Sequence, residues 1–420
     1  MAVVASTAKN ANANKAVSSL VYHLVGKRSS EKMYIRRLRN SAGGKRRGFL
    51  PHNTKAQYKI DVGIVAHLFR YSFGRRAPLC LLFYLLCFLY LLAILYDGFA
   101  GRGLDTLPLS MNIVDLRQTT VRQIEPLLEE EARHWRDELH WDYRGALELI
   151  KRFLDAHALA GCVAFENGVA AGYSFYVLED QKGLIGGLYV SAKFAQDSIG
   201  RRLLEEMLYS MRAIPHLARI EAQLMPFSGP VDTPLLDQGF HLYTRQFMLL
   251  DLQKVHEARS GASAGMRLNR WNDRYFEPCA KLIYLAYANH VDGEINDQYR
   301  SRSGALKFLK NIILLPGCGQ FVPSASFVLH EPGSDELIAA VLTSEVSPGV
   351  GHTTQICVLP GYQGHGLGRM LMQTSAEALR TLKFRELTLT VTSDNHTAVQ
   401  LYERLGFTTI KCFTAGVWPR

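Results

Sequence analysis

Cysteine is scarce in this 420-residue chain. There are seven, an odd number, with no CxxC pair and no histidine partner at zinc spacing. That argues against a disulfide framework and against a structural metal, and it suits a reducing compartment. A sustained excess of one charge is also missing from most of the chain. The net charge is +10, yet residues 1–110 hold 17 Lys+Arg against 4 Asp+Glu, which leaves 31 against 34 for the rest. The body is mildly acidic and carries no electrostatic footprint for DNA, so no nucleic-acid partner is expected. With 48% hydrophobic and 20% charged residues the composition is globular, and the length allows two or three domains.

The first quarter stands apart. Residues 1–110 form a basic extension, and within it Ala77 to Tyr96 runs twenty residues without a charge. As a helix that run would span roughly 30 Å, enough to cross a bilayer. Arg70, Arg75 and Arg76 flank its near side and Arg102 its far side. The positive-inside rule would then send everything beyond it out of the cytoplasm. Either that topology is wrong, or the extension is not part of the working protein and Met111 is the true start. The expected location is cytoplasmic, with a single-pass membrane protein through 77–96 as the alternative.

The body reads as two copies. Leu188–Leu204 aligns without a gap on Ile356–Met372 at an offset of 168, and Leu235–Phe240 matches Tyr402–Phe407 at 167. A period this long points to duplicated domains. The expected division is 111–252, a polar linker 253–265, and 266–420. In the second copy, strands are expected at Arg267–Trp271, Ser326–His330, Glu336–Val346 and His352–Leu359. Helical stretches are expected from Tyr275 to Leu315. A helix over Leu367–Leu382 has Leu367, Leu371, Ala378 and Leu382 at helical spacing. "ELTLTV" alternates as a half-buried strand should, and a helix over Thr397–Leu405 ends at Gly406. The fold class is α/β (α+β).

Three glycines, Gly364, Gly366 and Gly368, deliver one strand onto a helix. Free backbone N–H groups and the helix dipole would make an anion site there, although a tight turn would look the same. No Lys-Ser/Thr follows, so this is no Walker loop, and Arg369 stands where a dinucleotide fingerprint needs its third glycine.

Gln363-Gly364-His365-Gly366-Leu367-Gly368-Arg369 resembles the pyrophosphate loop of the GCN5-related N-acetyltransferases (GNAT). Asn395 and Tyr402 sit at that family's spacing, and Leu401–Phe407 is similar to the ending of the ribosomal-protein N-terminal acetyltransferases. The resemblance is specific over about 350–410 and faint over 111–250. It implies tandem GNAT folds, each a mixed, mostly antiparallel sheet flanked by helices. It also implies acetyl-CoA as cosubstrate, no metal, and direct acyl transfer to an amine on a small molecule or peptide. The backbone of Ile356, Cys357 and Val358 would pair with the pantetheine arm, and Tyr402 would protonate the leaving thiolate. Asn395 would bind cofactor or cap its helix.

The base is less plain, because Thr390 stands where the nearest branch carries a glutamate. Glu345 and His352 are the candidates, while Cys357 reads as packing. Asp292, Glu294 and Asp297 would favour a cationic acceptor, or simply form a solvated loop, and His290 reads as structural. In the first copy, Gln196, Asp197 and Ser198 replace Gly364, His365 and Gly366, and Leu235 replaces Tyr402. That copy is expected to have lost the cofactor and to complete the acceptor cleft. A rival reading is a non-catalytic acyl-CoA sensor, membrane-tethered if 77–96 is inserted. The sequence leaves the oligomeric state open.

Overall fold

The structure is a computed structural model that describes residues 111–419, apart from 195–196, 226, 228, 230, 255–264 and 316. The apolar run at 77–96 therefore lies outside the described residues, as does most of the 253–265 linker. Among the described residues no helix is long and apolar enough to cross a membrane.

The first half runs β1 (Asn112–Asp115), α1 (Val121–Leu139), α2 (Arg144–Asp155), β2 (Ala160–Glu166), β3 (Val169–Glu179) and β4 (Lys182–Val190). It continues through α3 (Asp197–Arg212), β5 (Arg219–Gln223), α4 (Asp232–Asp237) and β6 (His241–Asp251). The second half opens with β7 (Arg267–Arg270), α5 (Phe276–Ala286), α6 (Val291–Ile295), α7 (Arg302–Leu314), β8 (Gln320–Phe321), β9 (Phe327–His330), β10 (Leu337–Ser347) and β11 (Val350–Val358). It closes with α8 (Leu367–Thr381), β12 (Glu386–Thr392), α9 (His396–Arg404) and β13 (Thr408–Trp418). The stretch expected to be helical from 275 to 315 is broken into α5, α6 and α7, with a 3-10 turn at Asp297–Arg300.

The sequence offset survives in space: β4 and β11 lie 168 residues apart, and β6 and β13 lie 167 apart. One sheet per half is not what forms, however. The strands join into one sheet in the order β1-β2-β3-β4-β5-β13-β6-β12-β11-β10-β9-β7, with β8 beside β10. Each half surrenders its last strand to the other. β13 pairs with β5 from Ala415↔Gln223 to Trp418↔Ile220, and β6 pairs with β12 from Glu386↔Asp251 to Thr392↔Arg245. The two exchanged strands pair with each other in the middle, Thr408↔Leu249 to Val417↔His241. The exchange turns two sheet edges into interior strands, so no row of open N–H and C=O groups is left between the halves. Only β4/β5 and β11/β12 are parallel; the other pairs are antiparallel.

Helices cover both faces of the second half. On one face α8 packs Leu367, Leu371, Met372, Ala376 and Leu379 on Leu387, Leu389 and Val391 of β12 and on Met248 and Leu250 of the exchanged β6. The buried stripe therefore differs from the expected one at its end: Leu382 falls beyond α8 and is exposed. On the other face α5 and α7 cover Val328, Ala340, Leu342 and Cys357. β12 is more than half-buried. Its Thr388 is enclosed because its hydroxyl donates to the Gly351 carbonyl and lies 2.8 Å from His352 Nδ1.

Candidate active site

The pairing of β11 with β12 runs only from Val350↔Glu386 to Thr353↔Leu389. Beyond it the strands diverge, and the gap opens into a cleft of about 820 Å³ bordered by both halves. Side-chain and backbone direction alternate along a strand. The Leu359 N–H donates to the Ile338 carbonyl of β10, so the N–H and C=O groups of Ile356 and Val358 face the gap. Ile356, Cys357 and Val358 all border the cleft. The Ile356 carbonyl accepts from the Tyr287 hydroxyl at 3.2 Å, and the Val358 carbonyl accepts from Gln363 Nε2 at 3.0 Å.

The strand then turns into α8 through Gly364 and Gly366, whose φ angles are +79° and +78°. A β-carbon at either position would meet no atom within 4 Å. Crowding does not demand glycine there; the left-handed backbone does. The consequence is an open cradle at the N-terminus of a fifteen-residue helix, where N–H groups point outward. Gln363, Gly364, Gly366, Leu367, Gly368 and Arg369 line the cleft, whereas His365 is exposed and does not.

Tyr402 reaches the cleft from α9 on the α8 side of the sheet. It is 6% exposed and its ring centroid lies 5.7 Å from that of Phe407. Burial, reinforced by the Asp292 carboxylate, holds its phenol above the ordinary tyrosine range, so it keeps its proton. Asn395 caps α9: its Oδ1 accepts from the Ala398 N–H at 3.2 Å, and its amide lies 3.2 Å from His290 Nε2. His290 in turn caps α6, its Nδ1 accepting from the Asp292 N–H at 3.1 Å.

Neither base candidate fits its role well. Glu345 closes the β10–β11 turn, where Oε1 accepts from the Gly349 N–H at 3.0 Å, and it does not line the cleft. His352 does line it, but the ring is buried against Trp141, with 4.9 Å between centroids. Burial, with Arg245 adding to it, pushes His352 down to about 3, too low to take a proton near neutral pH. Burial pushes the Cys357 thiol up to about 12, so it is no nucleophile.

The three acceptor-side carboxylates divide. Glu294 accepts from the Tyr243 hydroxyl at 2.6 Å, and Asp297 pairs with Lys182 of β4; both bind the segment to the first half. Asp292 lines the cleft, with Thr392 donating to it. Sequence reasoning passed over two further cleft residues, Arg245 and Gln298. Arg245 gave no signal because β6 reaches this site only through the strand exchange, and Gln298 gave none because an uncharged side chain in the segment joining α6 to α7 does not stand out.

The first half keeps the diverging strands. β4 and β5 pair from Lys182↔Arg219 to Ile185↔Ala222 and then part. Leu235, at the position of Tyr402, is wholly buried in its core, and Gln196 lies outside the described residues. Among the described residues no group of three or more His, Cys, Asp or Glu is placed to hold a metal.

The model of the acetyltransferase (GNAT) family matches residues 121–226 and again 299–407, together just over half of the chain. A mycothiol acetyltransferase of Beutenbergia cavernae is 31% identical over 102 residues, which is 24% of this chain and 34% of that protein. N-alpha-acetyltransferase 30 of Schizosaccharomyces pombe is 32% identical over 89 residues, 20% of this chain and 58% of that protein. The matched stretch thus spans about a third of the mycothiol acetyltransferase and less than two thirds of the yeast protein. Among solved structures, a GCN5-related N-acetyltransferase from Sphaerobacter thermophilus shares the fold at a TM-score of 0.52 and 17% identity, over 74% of this chain and 96% of that one. Two matches to one family model, on halves that repeat each other in sequence and in strand order, make the chain a member of the acetyltransferase (GNAT) family with its domain present twice.

Proposed function

We propose that this protein is an acyl-CoA-dependent N-acyltransferase, acting most readily with acetyl-CoA on a primary amine, with its chemistry in the second half. The observation that carries this reading is the left-handed pair Gly364 and Gly366 at the head of α8, opening onto the same cleft as the diverging β11 and β12 and the buried Tyr402. The residues present fit the cofactor. An uncrowded N–H cradle suits a pyrophosphate, and the outward-facing backbone of Ile356 and Val358 suits an amide-bearing arm. Acyl-CoA, when bound, supplies an acyl carbon that leaves sulfur for the amine nitrogen.

The chain's own residues supply the rest. The Val358 N–H faces the gap and donates to developing negative charge on the acyl oxygen. Tyr402 holds a proton at its phenolic oxygen for the departing sulfur. Asp292, the one acceptor-side carboxylate of the three that borders the cleft, holds the incoming ammonium and takes its proton. It replaces Glu345 in that role. The first half contributes a wall of the cleft and no chemistry.

Titrating the chain with acetyl-CoA by calorimetry, then adding amines while following free thiol, tests this directly. One binding site per chain with amine-dependent thiol release is the expected result. Binding without release from any amine would instead identify an acyl-CoA sensor, and no binding would reduce the glycines to a turn.

A further inference from the structure

Arg245 lies on β6, the strand that the first half contributes to the second half's sheet, opposite Thr392 at the end of β12. Its side chain borders the cleft and is 13% exposed. Among the described residues its guanidinium makes no hydrogen bond, and Nε is buried without a partner. The facing carboxylate is Asp292, with Nη1 3.8 Å from Oδ1, beyond hydrogen-bond reach, and that oxygen already accepts from Thr392. A guanidinium offers five donors, and leaving the buried Nε–H unmet is costly. Arginines held for stability find carboxylates or carbonyls at hydrogen-bond distance. On the same cleft Gln298 is 8% exposed and its Nε2 is also buried without a partner. Unmet donors on Arg245 and Gln298 bordering one cleft, and a carboxylate that stands by the guanidinium without closing on it, describe a place for a ligand that carries both charges.

We infer that the acceptor is a free α-amino acid or a small derivative that keeps its carboxylate, with the carboxylate held by Arg245 and Gln298 and the ammonium by Asp292. One carbon separates the two charged groups of such a molecule, which matches opposite charges set at loose ion-pair distance. A polyamine would bring a second positive charge against Arg245. A peptide N-terminus has no carboxylate beside its amine to meet the guanidinium. This inference rests on the acyltransferase reading for what happens to the amine, but not for the recognition itself.

The test is therefore a binding measurement on the full chain, with and without acetyl-CoA. The probes are free L-amino acids, their carboxamides and their decarboxylated amines, with thiol release followed in parallel. At least one amino acid should bind tighter than its own carboxamide by about thirtyfold or more, as loss of a buried charged contact implies. Arg245→Met should remove that preference while acetyl-CoA still binds; Arg245→Lys, which keeps the charge but not the fork, should retain a fraction of it. If the methionine variant does not fold, the acid-to-amide comparison on the unaltered chain and the lysine variant still decide. Equal binding of acids and amides, an undiminished preference in Arg245→Met, or no binding of any amino acid would each overturn the inference. Thiol release with no carboxylate preference would overturn it and leave the acyltransferase reading standing. Carboxylate preference without thiol release would support it and sink that reading.

Discussion

Lys182 of β4 and Asp297, in the segment joining α6 to α7, form an ion pair across the two halves, with the lysine side chain only 8% exposed. Glu221 and Glu179 stand 3.5 and 3.6 Å from the same ammonium, and the Asp297 N–H donates to Glu221 at 3.0 Å. One cation thus holds three carboxylates and fixes the segment that carries Asp292 and Gln298. Lys182→Met strands buried negative charge and should cost about 3–5 kcal/mol of stability, read by denaturant unfolding. In whatever fraction stays folded, acceptor KM should rise while acetyl-CoA affinity holds. Loss of acetyl-CoA affinity instead would place the pair's influence elsewhere.

Tyr402→Phe removes one hydroxyl from a buried ring and leaves its packing on Phe407. Turnover should fall by about a hundredfold or more, as expected for a lost general acid, with little change in acetyl-CoA affinity. Steady-state kinetics beside a calorimetric titration separates the two. Full activity in the variant would remove Tyr402 from the chemistry.

At Gly366 the left-handed backbone makes a specific demand. Gly366→Ala should cost about 1 kcal/mol of stability through strain, seen as a lower melting temperature. Gly366→Glu places a carboxylate in the cradle and should abolish acetyl-CoA binding by calorimetry. Unaltered affinity in the glutamate variant would refute the cradle.

Glu131 of α1 is buried against the cleft, accepting from the Tyr173 hydroxyl and from Trp135 Nε1 at 3.3 Å. Burial raises its pKa from 4.5 to about 7, with the two hydrogen bonds pulling part of the way back. Between those pH values the folded protein keeps a proton that the unfolded chain loses. Stability from this group is therefore full below pH 4.5, falls as pH rises towards 7, and is flat beyond, a loss of about 3 kcal/mol. Glu131→Gln should flatten that slope, so that its melting temperature gains on the unaltered protein between pH 5 and pH 8. Parallel curves for the two proteins would show that Glu131 titrates normally.

Much of this was legible in the sequence because it is local. The glycine loop, the Asn395 cap and the spacing to Tyr402 are set within about forty residues, and the alternation of Leu387, Leu389 and Val391 marks β12 directly. Glu345 misled because its place at a strand end says nothing about which way the carboxylate turns; Gly349 claims it. Glu131, Arg245 and the Lys182 cluster were illegible for a different reason. Their neighbours lie 42 residues away for Tyr173, 47 for Asp292 and 115 for Asp297. Glu131 meets Tyr173 inside the first half, whereas Arg245 reaches Asp292 and Lys182 reaches Asp297 across halves joined by the exchange of β6 and β13, which no periodicity announces.

That exchange also constrains how the protein can change over generations. Two copies joined by a linker alone could each decay or be deleted independently. Here β6 is an interior strand beside β12 of the second half, and Arg245 rides on it. Deleting residues 111–252 would strip the second half of a central strand, and β13 would lose two partners at once. The first half's last strand is bound by the needs of a sheet that it shares with the second half. Retention of both copies is then a matter of shared backbone.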